Sequence, residues 1–89
     1  METTPTDVQQ FILSRIDDPL QALGLAPADV PGSFDLLLEG VIDSFGIVEL
    51  IGALEERYGL EFDFDELAPD DLTRIGPLSS YVAQKLNGQ

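Results

Sequence analysis

The groups in this chain that could make or break bonds are few. They are serine and threonine hydroxyls, a single lysine (Lys85) and a large excess of carboxylates; there is no histidine and no cysteine. A nucleophilic serine needs a base within hydrogen-bond reach, and here only Lys85 or a carboxylate could serve. The hydroxyl that stands out is Ser44, in the run Leu36-Leu37-Leu38-Glu39-Gly40-Val41-Ile42-Asp43-Ser44-Phe45-Gly46-Ile47-Val48-Glu49-Leu50. It stands where an apolar stretch gives way to an amphipathic pattern. Asp and Ser are both favoured helix N-caps, and a cap contributes about 1 kcal/mol, so the pair taken alone marks a helix start. Ser44 is followed by Phe45-Gly46 and lacks the glycines on both sides that a nucleophile elbow requires. An exposed serine at a helix start, with no histidine to activate it, suits modification by another enzyme better than chemistry of its own. No intrinsic enzymatic activity is expected.

Two other constellations fall short of a site. Asp63, Asp65 and Glu66 have the look of a calcium loop, but such a loop needs Gly at its sixth position and Glu at its twelfth. Ala68 and Arg74 stand there, so these acids read as a solvated loop and no metal is expected. Glu55-Glu56 and Asp70-Asp71 are adjacent pairs, and adjacent residues on a helix do not face each other. They read as surface charges.

Composition sets the bounds. Eighty-nine residues, 44% of them hydrophobic, make one domain spanning 1–89 with one small core. Without cysteine there is no disulfide and no thiolate metal site, so packing alone must hold the chain. Four basic against 17 acidic residues leave a net charge of −13. A polyanion repels nucleic acid and anionic membranes, while it attracts and steers basic protein surfaces. No apolar run reaches the length of a membrane span. The amino terminus lacks the positive start and apolar stretch of a secretory signal. The expectation is a complete, cytoplasmic, monomeric protein.

The elements that must position Ser44 follow from periodicity. The spacing predicts a first helix from about Thr6, with Thr6 and Gln9 as a capping box and Val8, Phe11, Ile12 and Ile16 as its buried stripe. Asp17-Asp18-Pro19 interrupts it, since proline removes an amide donor and restricts the residue before it. One kinked helix, or a second short helix capped by Asp18 and carrying Leu20 and Leu23, would satisfy the pattern. A long connection over 24–42 follows, punctuated by Pro27, Pro31, Gly32 and Ser33. Its apolar residues (Leu25, Val30, Phe34, Leu36, Leu37, Val41, Ile42) should pack across the helix ends. The second main helix is predicted over 44–58, with Ile47, Leu50, Ile51, Leu54 and Tyr58 on its core face and Gly59 as its stop. Residues 61–65 read as an extended loop, and Pro69 to Leu72 as a short turn. The last helix is predicted over 75–86, with Pro77 in its first turn and Ile75, Leu78, Val82 and Leu86 buried. The fold class is all-α: a small bundle of three main helices plus short helical turns, with a long structured loop between the first and second.

On that second helix Phe45 and Val48 fall on the exposed arc beside Ser44, breaking the pattern a purely structural helix would keep. Glu49, Glu55 and Glu56 edge the pair. An apolar pair with a charged rim has the anatomy of a docking surface. Gly46 and Gly52 thin the same helix at a cost in propensity, which fits either close approach by a partner or simple tolerance of glycine there.

With these residues in view, the chain resembles the acyl carrier and peptidyl carrier protein superfamily. The resemblance rests on Gly40-Val41-Ile42-Asp43-Ser44-Phe45, on Val48-Glu49-Leu50, and on Ala53-Leu54-Glu55-Glu56-Arg57-Tyr58-Gly59, and it covers most of the chain. Many carriers have Leu directly after the serine, where this chain has Phe45; Pro77 is also unusual. The resemblance implies that Ser44 accepts 4′-phosphopantetheine from coenzyme A through a phosphopantetheinyl transferase. The thiol of that arm would carry an acyl or aminoacyl group as a thioester. Asp43 would aid recognition by the transferase, and Phe45, Val48, Glu49, Gly52, Glu55 and Glu56 would face partners. Those partners would include a cargo-loading enzyme (an adenylating enzyme or an acyltransferase) and a downstream transferase or condensing enzyme. A chain this short that begins at Met1 is expected to be a discrete carrier. The Asp43-Ser44-Phe45-Gly46 phrasing resembles carriers of specialised metabolism, in polyketide, nonribosomal peptide or aminoacyl transfer. The competing expectation is an unmodified acidic helical adaptor whose Phe45 and Val48 patch binds a basic protein.

Overall fold

In the structure, a computed structural model that describes residues 3–87, the first helix is α1 (Pro5–Arg15). Its cap is Thr4, not Thr6. Thr4 Oγ1 accepts the Asp7 N–H at 3.1 Å, and Asp7 Oδ2 accepts the Thr4 N–H at 3.3 Å. Pro5, whose missing amide is harmless at the first helical position, sets this earlier start, and Asp7 takes the reciprocal role expected of Gln9. Val8, Ile12 and Ile16 are buried as expected, while Phe11 is only half-buried.

The choice at Pro19 resolves into two helices. α1 ends at Arg15, and α2 (Asp17–Ala22) begins after Ile16, whose φ of −112° and ψ of 17° break the helical path. Pro19 has no amide to give to Arg15, so the ladder restarts with the Leu20 N–H on Ile16 O at 3.0 Å. Asp18 makes no cap. Leu20 is buried and Leu23 is exposed.

α3 (Ser44–Tyr58) and α4 (Ile75–Leu86) have the boundaries read from the sequence. Gly59 closes α3 in the left-handed conformation, at φ 66°, which glycine adopts without steric cost. Pro77 sits in the first turn of α4, where no intrahelical donor is needed. Two 3₁₀ turns, Pro27–Asp29 and Pro69–Leu72, complete the all-α bundle. The core is one cluster built from Val8 and Ile12, Leu20, the inner face of α3 (Ile47, Leu50, Ile51, Leu54) and that of α4 (Ile75, Leu78, Val82). α1 packs most closely on α4. At the far end of α3, Phe11 meets Tyr58 edge-on at 5.9 Å, and the Arg57 guanidinium lies over both rings.

The connection over 24–42 buries Val30, Leu36 and Val41 and half-buries Leu25, Phe34 and Ile42. Leu37, expected to pack, is 40% exposed, and Leu38 is 80% exposed. The connection is fastened to the entrance of α4 by main-chain bonds: Leu36 N–H to Thr73 O, Ile75 N–H to Phe34 O, and Gly76 N–H to Gly32 O at 2.8–3.1 Å. It approaches so closely that a Cβ on Gly76 would lie 2.7 Å from Gly32 O.

Candidate functional site at the start of α3

The chain enters α3 through Asp43, whose extended backbone (φ −92°) turns its carboxylate onto the helix start. Asp43 Oδ1 accepts the Gly46 N–H at 2.8 Å, and Asp43 O accepts the Ile47 N–H at 3.0 Å. The first bond satisfies one of the four amides left open at a helix start, and the second is the first bond of the helical ladder. The Ser44 and Phe45 amides are among those left open, at the positive end of the helix.

Ser44 is the first residue of α3 and is exposed. None of the side-chain hydrogen bonds among the described residues joins its hydroxyl to a base. Lys85, the one amine side chain, is engaged elsewhere, with its Nζ 2.7 Å from Glu66 Oε1. The hydroxyl is therefore reachable from outside and not activated from within.

Along the outer side of α3 from it lie most of the surface residues read from the sequence. Phe45 is 70% and Val48 65% exposed; Asp43, Glu49, Gly52 and Glu56 are exposed as well. Glu55 stands apart. It is half-buried, and its Oε2 accepts the Phe62 N–H at 2.9 Å, so its carboxylate ties α3 to the following loop. The two glycines also separate. A Cβ on Gly46 would lie 2.9 Å from that of Ile42, so close packing of its own chain explains this glycine rather than partner approach. A Cβ on Gly52 would meet nothing within 4 Å.

Sequence reasoning missed three features. Glu49, Gly52 and Glu56 border a shallow groove whose other wall is Phe11, Arg15 and Arg57, so two of the chain's four basic residues sit beside the acidic rim. Nothing in the helical pattern pairs Arg15 with Arg57. Leu37 and Leu38 are exposed in the connection that leads into the same helix. The signal there was Asp35, two residues before an apolar pair, which is an Asx-turn former. Asp35 itself is the third: Oδ1 accepts the Leu37 and Leu38 amides at 3.0 Å each, and Oδ2 accepts the Thr73 hydroxyl at 2.9 Å. Desolvation pushes the Asp35 carboxyl up. The hydrogen bonds from Leu38, Thr73 and Leu37 and the charge of Arg74 outweigh it and hold the group below its ordinary value.

A small helical bundle with an exposed, base-free serine opening its second long helix is the arrangement of a carrier domain. The chain belongs to the phosphopantetheine attachment site family, whose model matches residues 15–82. No curated protein and no solved structure matches the chain. It is thus a phosphopantetheine-bearing carrier protein. Its cofactor is covalently attached 4′-phosphopantetheine, and a phosphopantetheinyl transferase and biosynthetic enzymes are its partners. The helix start fits that group: two open amides at a positive helix end suit a phosphodiester anion, and an exposed hydroxyl suits the linkage.

Proposed function

We propose that Ser44 is the attachment point of the arm, and that the chain delivers acyl or aminoacyl groups between enzymes without catalysing their chemistry. The observation that carries this reading is the exposed Ser44 hydroxyl at the first position of α3, behind the Asp43 cap. The bound arm supplies a thiol that holds cargo as a thioester. Everything else is the work of the chain. Asp43 fixes the helix start so that the hydroxyl keeps one direction, and its carboxylate offers the transferase a charged landmark beside the serine. Phe45 and Val48 form the apolar floor of the docking surface. Glu49 and Glu56, with Gly52 between them, form the rim that meets basic partners. Glu55 contributes charge to that rim while holding the loop after α3. Small, charge-steered interfaces form quickly and release quickly, as a shuttle between enzymes requires.

The Phe45-Gly46 sequence after the serine supports a carrier of specialised metabolism. The cargo-loading partner is then an adenylating enzyme or an acyltransferase, and the receiving partner a condensing enzyme or transferase. The need for coenzyme A supports modification in the cytoplasm. A net charge of −13 disfavours self-association and supports a monomer. No helix among the described residues is long and apolar enough to cross a membrane.

The test is intact-mass measurement after incubation with coenzyme A and a phosphopantetheinyl transferase. The wild type gains one phosphopantetheine. Ser44→Ala gains none, at unchanged helical content, because the Asp43 cap is kept. A gain in Ser44→Ala would move the attachment elsewhere; an unchanged wild-type mass across several transferases would favour an unmodified acidic adaptor.

A further inference from the structure

We propose that Gly46 is a positioning residue for the modification of Ser44. By carrying no side chain it lets Ile42 settle on the first turn of α3, and so sets the direction in which the chain enters the helix and holds out the hydroxyl. The inference rests on Ser44 being the attachment point.

Position 46 is one where a side chain would ordinarily help. It is the third residue of α3, the place from which an acid or amide reaches back to the amide of the capping residue. α1 uses its third residue in that way: the Asp7 N–H donates to Thr4 Oγ1, and Asp7 Oδ2 accepts the Thr4 N–H. α3 makes only the first half of this box, the Gly46 N–H on Asp43 Oδ1 at 2.8 Å. Glycine is also, proline apart, the poorest helix former. Gly46 is not among the glycines of positive φ, so no backbone conformation demands it.

What demands it is Ile42. A Cβ at position 46 would lie 2.9 Å from Ile42 Cβ, and 3.5 Å from both Ile42 Cγ2 and Asp43 Oδ1. Ile42 Cβ is bonded directly to the main chain, so no change of rotamer moves it away; the backbone of residue 42 would have to shift. That backbone is held. The Val41 and Ile42 amides both donate to Leu36 O, at 3.1 and 3.3 Å, and Leu36 and Val41 are buried. Ile42 itself is half-buried against the core. It stands just before the cap, and Ile47 is the fourth residue of the helix; apolar residues at these two positions fix the angle at which a chain enters a helix. Displacing residue 42 therefore displaces the next two residues, Asp43 and Ser44.

The modification is sensitive to that displacement. Ser44 Oγ bonds to the phosphorus that carries pantetheine in coenzyme A. The bond from that phosphorus to the bridging oxygen breaks, adenosine 3′,5′-bisphosphate leaves, and the hydroxyl proton passes to the transferase. Attacking and leaving oxygens must stand roughly in line, and a misplacement of about 1 Å can cost about 10²-fold. Val48 and Glu49 lie a turn further along α3, so docking is kept and the transfer step takes the loss.

The experiment is single-turnover modification by a phosphopantetheinyl transferase of broad carrier range, in excess over the carrier, with coenzyme A saturating and intact mass read at intervals. The limiting rate at high transferase reports the transfer step, and the half-saturating concentration reports docking. Gly46→Ala should lower the limiting rate about tenfold and leave half-saturation unchanged within about twofold. Ile42→Gly removes the opposing Cβ and will slow transfer by itself; in that background Gly46→Ala should cost nothing further, because the two act through one contact. Circular dichroism checks that each variant is folded. Should Gly46→Ala fail to fold, the double variant should fold and react at the rate of Ile42→Gly. A wild-type limiting rate in Gly46→Ala overturns the proposal. So does a loss confined to half-saturation, which would make Gly46 a docking residue, and so does an equal loss in both backgrounds. Mass gain by Ser44→Ala would instead overturn the attachment point, a readout separate from the rate of Gly46→Ala.

Discussion

Two connectors flank α3, and they are held in opposite ways. The one leading in, residues 24–43, is fastened mainly through main-chain groups: its Gly32, Phe34 and Leu36 exchange hydrogen bonds with residues 73–76, and one side-chain bond, Thr73 to Asp35, joins them. The one leading out, residues 59–74, shares that fastening at its Thr73 end and is otherwise held mainly by side chains. Glu55 Oε2 takes the Phe62 amide, Tyr81 Oη takes the Asp63 amide, and Glu66 collects both the Tyr81 hydroxyl and the Lys85 ammonium. Its apolar contribution is also thinner. Phe62 is buried against Tyr81, but Phe64, stacked on Phe62, is 56% exposed. Within the first connector the Asp35 carboxylate takes the Leu37 and Leu38 amides, and both leucines face outward. Exposed ion pairs contribute little to stability, so the second connector is expected to open first.

The largest effect that would break this contrast comes from Gly76→Ala. Alanine is the better helix former, and a connector held by side chains would let it stabilise α4. Here the new Cβ would press on the Gly32 backbone, with its oxygen at 2.7 Å and its carbons at 3.0 Å. Backbone cannot rotate away, so overpacking should win by about 1–2 kcal/mol. For a domain of this size that lowers Tm by roughly 5–10 °C. Urea titration checks the sign, and a Tm above that of the wild type would show that the first connector yields. A smaller effect sharpens the other side. Glu55→Ala strands the Phe62 amide and should cost about 1 kcal/mol; Glu55→Gln, which keeps an oxygen acceptor, should restore most of it. Unchanged stability in Glu55→Ala would make Glu55 a surface acid like Glu56.

The same contrast separates what could be read from the sequence from what could not. α3 was legible to the residue because three local signals coincide there: Asp43 before it, Gly59 after it, and Ile47, Leu50, Ile51 and Leu54 at helical spacing between. The exposed side of α3 followed from the same wheel, and with it Phe45 and Val48. Local chemistry failed where two local solutions competed, as with Thr4 and Thr6 for the first cap, where Pro5 decided. It failed wholly for long-range bonds. Asp35 finds Thr73 thirty-eight positions away, and no periodicity encodes that pairing. Gly46 looked like room for a partner because a helical wheel contains α3 and not Ile42 packed over it. Leu37 looked like core because apolar content cannot say which residues of a loop its turn will send outward.

The smallest effect is also the most selective, and it comes from pH. The Glu66 carboxyl is held below its ordinary value by the hydrogen bonds from Lys85 and Tyr81, and the Lys85 ammonium is held above its ordinary value by its bond to Glu66. A lowered carboxyl lends stability above its unfolded value and loses it as pH falls through the folded one. Asp35 and Glu66 are both of this kind, so acid below about pH 4 should loosen both connectors. A raised ammonium behaves oppositely: its contribution is complete below the unfolded value and disappears as pH rises through the folded one. Only the second connector has such a group, since the cation near Asp35 is Arg74, which stays charged throughout. NMR of the Leu38 methyls and the Phe64 ring reads the two connectors separately. Both should shift in acid, whereas between about pH 10 and 12 only Phe64 should move, and Lys85→Met should reduce that alkaline step. Leu38 moving together with Phe64 in base would mean that the two connectors open as one, and that main-chain fastening does not insulate the first from the second.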